Sequence, residues 1–313
     1  MKKCVLLTAL TVLWMLPLFA QEPQTSQKEY LERYNMLVSH VGATGVGIET
    51  MLGKWERDYP EDVDMLAAKF VYYLGKSRSS SVEQKPVSKY LGEAPIFTLK
   101  DSLDNPVNYF EVANFDDELF GKAISSIDKA IQLLPDRLDL RMYKISALVA
   151  YEKDSPDMAT SELKTLIDYN RLQHPAWVYP GAEKVDKDFF DTAIQEFCFT
   201  FFRYGTPATY AAFRDLSEKM LEGDAKNVLF LDNVGSYYLV AAKDSKTALK
   251  YYNKVLKIKP SDITAIRNCI LLARNEKNVK LEKKYLPMMV KYGETDTDKQ
   301  AAQARLAVLS GKK

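Results

Sequence analysis

Four segments of this chain carry the same side-chain spacing, and a recurring spacing restricts the fold more than any single motif does. Ala248, Tyr252, Val255 and Pro260 give it most clearly: a small residue, an aromatic, an aliphatic and a proline. Ala123, Ile127, Ala130 and Pro135 repeat it, and Ile48, Leu52, Trp55 and Pro60 repeat it with bulkier residues. Ala212, Leu216, Lys219 and Asp224 repeat it once more, with Asp in place of Pro. On a helix the small residue lets a neighbour approach, the larger ones fill the groove between the two, and proline stops the chain from continuing. Upstream of the clearest copy, Leu231 to Tyr238 reads as a partner helix and Ala241 to Asp244 as the turn. The spacing therefore predicts an all-α array of helix–turn–helix units, since periods of this order mark solenoids.

These residues resemble the tetratricopeptide repeat family. That family packs about 34 residues as helix A, turn and helix B, with a small residue, an aromatic and a proline at these places. Two departures stand out. Gly235 to Pro260 is one residue longer than the family pattern, which lengthens the turn, and Leu231 stands where the family often has Trp. The resemblance implies a superhelical solenoid of about six repeats over residues 21–313, and a groove lined by the A helices that takes a protein or peptide segment.

Other helices fit between the four marked ones. Gln27 to Val38 follows a Thr25 or Ser26 cap, and Met142, Ile145, Leu148 and Val149 mark a helix after Pro135. Phe189, Phe190, Ala193, Ile194, Phe197, Cys198, Phe201 and Phe202 form one wide apolar stripe, which is core packing. Ile263, Ile266, Ile270 and Leu271 follow Pro260, and Asp296 to Leu309 suits a terminal cap. Pro287 predicts a kink or a late start in the helix before that cap.

Two segments break the period. Residues 76–117 begin with a polar, Ser-rich, flexible-looking run. Two short strands follow, at 95–99 and 107–112, with Leu103-Asp104-Asn105-Pro106 as turn chemistry. This predicts a small β-hairpin set between the two helices of the second repeat, either functional or packed on neighbouring helices. Residues 171–186 hold two prolines with Trp177 and Tyr179 between them; these aromatics either present a contact surface or plug the gap between repeats.

The start of the chain reads as an address. Lys2 and Lys3 precede an apolar run to Phe19, then Ala20 and a polar Gln21-Glu22. This is the layout of a secretory signal over residues 1–20, too short and too interrupted for a spanning helix. The expected location is the bacterial envelope or periplasm, or outside the cell. Lys and Arg number 43 against 42 Asp and Glu, and removing residues 1–20 takes only two lysines. That balance argues against nucleic acid as a partner. Cys198 and Cys269, left in the exported chain, sit in apolar helical stretches and read as buried thiols rather than a disulfide framework.

Catalytic patterns are sparse. His40 and His174 lack ligand-spaced neighbours, and the Gly42–Gly47 run falls where an inter-helix turn is needed. Asp116-Asp117 reads as helix-start charge. No cofactor or metal is implied, and an enzyme is not expected. The expected function is an exported protein–protein interaction module or assembly adaptor. The alternative is a binding protein for a small molecule or glycan that uses the aromatic loops. On the groove side the candidates are Arg141 and Lys144, Asn233 and Tyr237, and Arg267 and Asn268, with Trp177 and Tyr179 from the loop. Asn can bond an extended backbone and Arg can grip a carboxylate, though the same residues also suit an ordinary solvated face.

Overall fold

Ten of the thirteen described helices begin at a side chain that accepts from their free backbone N–H groups, and this punctuation sets the architecture. The computed structural model describes residues 25–311, so the secretory signal read at 1–20 lies outside the described residues. Ser26 caps the first helix in a reciprocal box: its hydroxyl accepts from Glu29 N at 3.3 Å while the Glu29 carboxylate accepts from Ser26 N at 2.8 Å. Asp62, Asp116, Asp186, Asn227, Asp244, Asp262 and Asn278 cap later helices in the same acceptor role.

Six helix pairs result: α1 (Gln27–Val41) with α2 (Ile48–Asp58), α3 (Val63–Ser77) with α4 (Asp117–Leu133), and α5 (Leu138–Glu152) with α6 (Asp157–Gln173). The others are α7 (Lys187–Tyr204) with α8 (Pro207–Gly223), α9 (Val228–Val240) with α10 (Ser245–Ile258), and α11 (Ile263–Asn275) with α12 (Val279–Tyr292). A final helix, α13 (Asp296–Leu309), closes the array against α12. Each helix packs on the next except at the α6–α7 join, where α6 meets α8 instead, and α9 also touches α11. The fold is a helical-repeat solenoid with a small β insertion.

The recurring spacing maps onto this packing. Ile48, Trp55, Ala123, Ile127, Ala130, Leu216, Ala248, Tyr252 and Val255 are all fully buried. Pro60, Pro135 and Pro260 each stand two residues beyond the end of α2, α4 and α10. The buried apolar residues run from Tyr30 to Phe230 and again from Leu231 to Ala302, with Leu221 packing against both groups. Both cysteines are buried free thiols. Pro287 lies inside α12, which starts at Val279. Gly42 and Gly47, with φ of 78° and 88°, turn the chain between α1 and α2 in the left-handed region that glycine tolerates.

The insertion between α3 and α4 holds the expected hairpin and one strand more. It is a three-stranded antiparallel sheet in the order β1 (Arg78–Lys85), β3 (Pro106–Phe115), β2 (Phe97–Lys100). The Ser-rich run is therefore a strand, paired from Arg78 with Phe115 to Lys85 with Asn108. Its own side chains have little strand preference. The partner strand supplies it, through Phe110 and Val112, each 2% exposed on one face of β3. Asp101 shapes the β2–β3 turn by accepting from Leu103 N and Asn105 N at 2.8 and 2.9 Å. The second interruption is shorter than expected, because α6 continues to Gln173.

Candidate functional site

The six groove candidates on the first helices of the pairs are mostly engaged within the protein. Asn233 on α9 is 7% exposed. Its Nδ2 donates to Gln195 Oε1 at 2.6 Å and Ser217 Oγ at 3.2 Å, and its Oδ1 accepts from Gln195 Nε2 at 3.1 Å. It thus bolts α9 to α7 and α8, with both ends of its amide in use. Tyr237, one turn on, is half-buried, and its hydroxyl accepts from Arg214 at 3.3 Å. On α5, Lys144 is clamped between Asp128 on α4 and Glu162 on α6. Burial opposes its charge, but the hydrogen bonds to Glu162 and Asp128 outweigh it and hold its pKa above the usual lysine value.

Arg141 donates from Nε to Pro135 O at 2.9 Å and lies 4.6 Å over the Tyr169 ring. Burial pulls its guanidinium pKa below the usual value. On α11, Arg267 is the most open of the six; it pairs with Asp298 at 2.9 Å and tethers α13. Asn268 is half-buried beside Tyr252. The structure thus joins Arg141 to the Trp177 loop, and leaves the α9 and α11 candidates as separate local networks.

Trp177 fills space rather than standing out. The 174–186 segment folds back onto the start of α5, where Val178 N donates to Asp136 O and Leu138 N donates to Val178 O, both at 2.9 Å. This anchors the indole between three helices. Its ring is stacked 6.0 Å from Phe190 on α7 and tilted 5.6 Å from Tyr169 on α6, with Arg141 of α5 at 5.8 Å. Its Nε1 donates to Asn170 Oδ1 at 2.8 Å. Tyr179 is half-buried against Phe189 at 5.2 Å.

The exposed apolar side chains follow a pattern of their own. Every first helix of the six pairs carries at least one large apolar residue open to solvent: Met36, Val71, Tyr143, Phe199, Val240 and Leu271. Five of the six lie in the body of their helix, and Val240 closes α9. In the second helices such residues occur only in the terminal turns, as with Met158, Leu172 and Ile258. A lone exposed apolar residue is ordinary, but one per first helix is a series. Phe199 was findable: it is the one phenylalanine of α7 lying off the apolar stripe.

The sheet adds a second exposed apolar area. Phe97 and Tyr109 stack at 4.7 Å across β2 and β3, beside Leu99 and Val82, both 54% exposed. The insertion is tied back to α7 where Arg203 meets Glu93 at 3.0 Å. Among the described residues, no group of three or more His, Cys, Asp or Glu converges as a metal site. No described helix is long and apolar enough to cross a membrane.

No protein-family model matches the chain, and a comparison with curated proteins finds no match. Solved structures similar to it include one described as the functional characterization of Pseudomonas aeruginosa pilF. That likeness has a TM-score of 0.34 and 11% identity, covering 89% of this chain and 96% of that one. The P58(IPK) TPR domain is similar at a TM-score of 0.31 and 12% identity, over 90% of this chain and 65% of that one. The TPR2AB domain of yeast Sti1, in complex with pHSP90, is similar at 0.30 and 10%, over 91% and 97%.

Proposed function

We propose that the chain is an exported, non-catalytic interaction module of the bacterial envelope. Residues 21–313 would act as one helical-repeat domain that binds a segment of a partner protein across its first helices. The observation that supports this reading is the series of exposed apolar side chains on those helices, which the second helices lack in their bodies. Leaving Phe199 and Leu271 in water forgoes burial worth about 1.5–3 kcal/mol for each fully covered side chain, which a docked segment would recover. The hydrogen-bonded groups around them, Tyr237 and Arg267 among them, would give such a segment direction rather than most of its affinity.

The test is a capture experiment from envelope extracts, with the wild-type chain set beside a Phe199→Ser/Leu271→Ser double variant. A protein retained by the wild type and lost by a variant with an unchanged thermal melt is the expected result. Equal retention by both would remove the first-helix surface from consideration.

A further inference from the structure

A cavity of about 420 Å³ opens beside Trp177, where the ends of α6 and α8 meet the starts of α7 and α9. Its floor is apolar, formed by Ile167, Phe190 and Met220 with the indole as a wall. Its rim carries charges of both signs, and these neutralise one another. Arg171 reaches Asp168 at 2.7 Å and Glu222 at 3.2 Å, and Lys219 reaches the same two acids at 2.9 and 3.0 Å. Lys187 reaches Asp191 at 2.6 Å and Asp224 at 3.2 Å. An anionic ligand would have to break these pairs, and a cationic one would have to approach the same lysines.

What the cavity offers an incoming molecule is planar donors and acceptors side by side over an apolar floor. Arg171 lines the cavity, and its buried Nε has no hydrogen-bond partner among the described residues. Hydroxyl groups suit such a rim, because each both donates and accepts, so it can bridge neighbouring donors and carboxylates without adding charge. The volume lies in the range of small-ligand sites.

From this combination we propose that the cavity is a binding site for a neutral saccharide of one or two rings. Its C–H face packs against Trp177 and the apolar floor, and its hydroxyls bond Arg171, Asp191 and Asp224. The proposal stands on the cavity alone and is independent of the first-helix surface.

The test uses the purified full chain, titrated with glucose, galactose, N-acetylglucosamine, maltose and cellobiose. Sodium phosphate and free phenylalanine serve as charged comparators. Binding is read by calorimetry and by tryptophan emission, for the wild type, Arg171→Gln, Asp224→Asn and Trp177→Phe. At least one neutral sugar saturates the wild type. Arg171→Gln and Asp224→Asn each weaken it about tenfold, the loss of one charge-assisted hydrogen bond. Trp177→Phe abolishes the emission change. A variant whose melt is lowered is replaced as evidence by the other two. The proposal is overturned if none of the five sugars saturates, if phosphate or phenylalanine binds in their place, or if sugar binding is unchanged in the stably folded variants.

Discussion

The ring of Tyr252 on α10 occupies the space that a side chain on Gly235 of α9 would need: a Cβ built there would lie 2.7 Å from Tyr252 Cε1. The aromatic of the repeat thus packs directly against a small residue of the partner helix in the same pair. Gly235→Ala gains up to about 1 kcal/mol of helix propensity and meets an overpacking cost of about 1–3 kcal/mol, for a net loss. Gly53 in α2 and Gly121 in α4 have no atom near the same position, so Gly→Ala there stabilises by about 0.5–1 kcal/mol. Three thermal or denaturant melts check the opposite signs.

Asp232 and Asp262 are both 7% exposed, and burial, followed by the charge of Asp262, pushes the Asp232 carboxyl up to about 8, with Lys259 opposing. The folded state therefore keeps this proton up to about pH 8, whereas the unfolded chain gives it up near 3.8. Stability falls as pH rises through that window and levels off above it. Asp232→Asn removes the effect. The variant is expected to match the wild type near pH 4 and to exceed it by about 2–4 kcal/mol near pH 8. A stability difference that does not change with pH contradicts this account.

Glu282 behaves in the opposite sense. Arg305 grips it through two hydrogen bonds of 2.9 Å and Arg274 adds one of 2.7 Å, which bring its pKa down to about 2. The contribution is present above the unfolded carboxylate range and is lost as pH falls toward 2. Because Arg305 sits on α13, acid or Glu282→Gln should release that helix first. Limited proteolysis and hydrogen exchange are expected to show α13 opening ahead of α3 or α7.

Cys198 and Cys269 have their thiol pKa pushed up to about 12 by burial. Neither is expected to react with an aromatic disulfide reagent in the native protein at neutral pH, and both should react in denaturant. Fast labelling of the native chain would contradict their placement.

The helix pairs were legible because the packing residues recur: Leu52, Ile127 and Tyr252 take matching buried places, and proline marks three helix ends. The strand at Arg78–Lys85 was not legible, since a serine run becomes a strand only by pairing with Tyr109, Phe110 and Val112. The site was legible only in part. Asn233 looked like a groove residue, and its partners Gln195 and Ser217 lie on other helices at no regular spacing. The sequence leaves two roles open for Trp177; contacts to three helices hold the indole between them, and it also lines the cavity beside α6 and α8.

The central claim, that a partner segment lies across the first helices, is tested most directly by site-specific photo-crosslinking in envelope preparations. A photoreactive residue replaces Phe199 or Leu271 on first helices, or Met158 or Ile258 on second helices, four positions of similar exposure. The account predicts a protein adduct of defined mass from positions 199 and 271 and none from 158 and 258. Adducts confined to the second-helix positions, or none at all from 199 and 271, would contradict it.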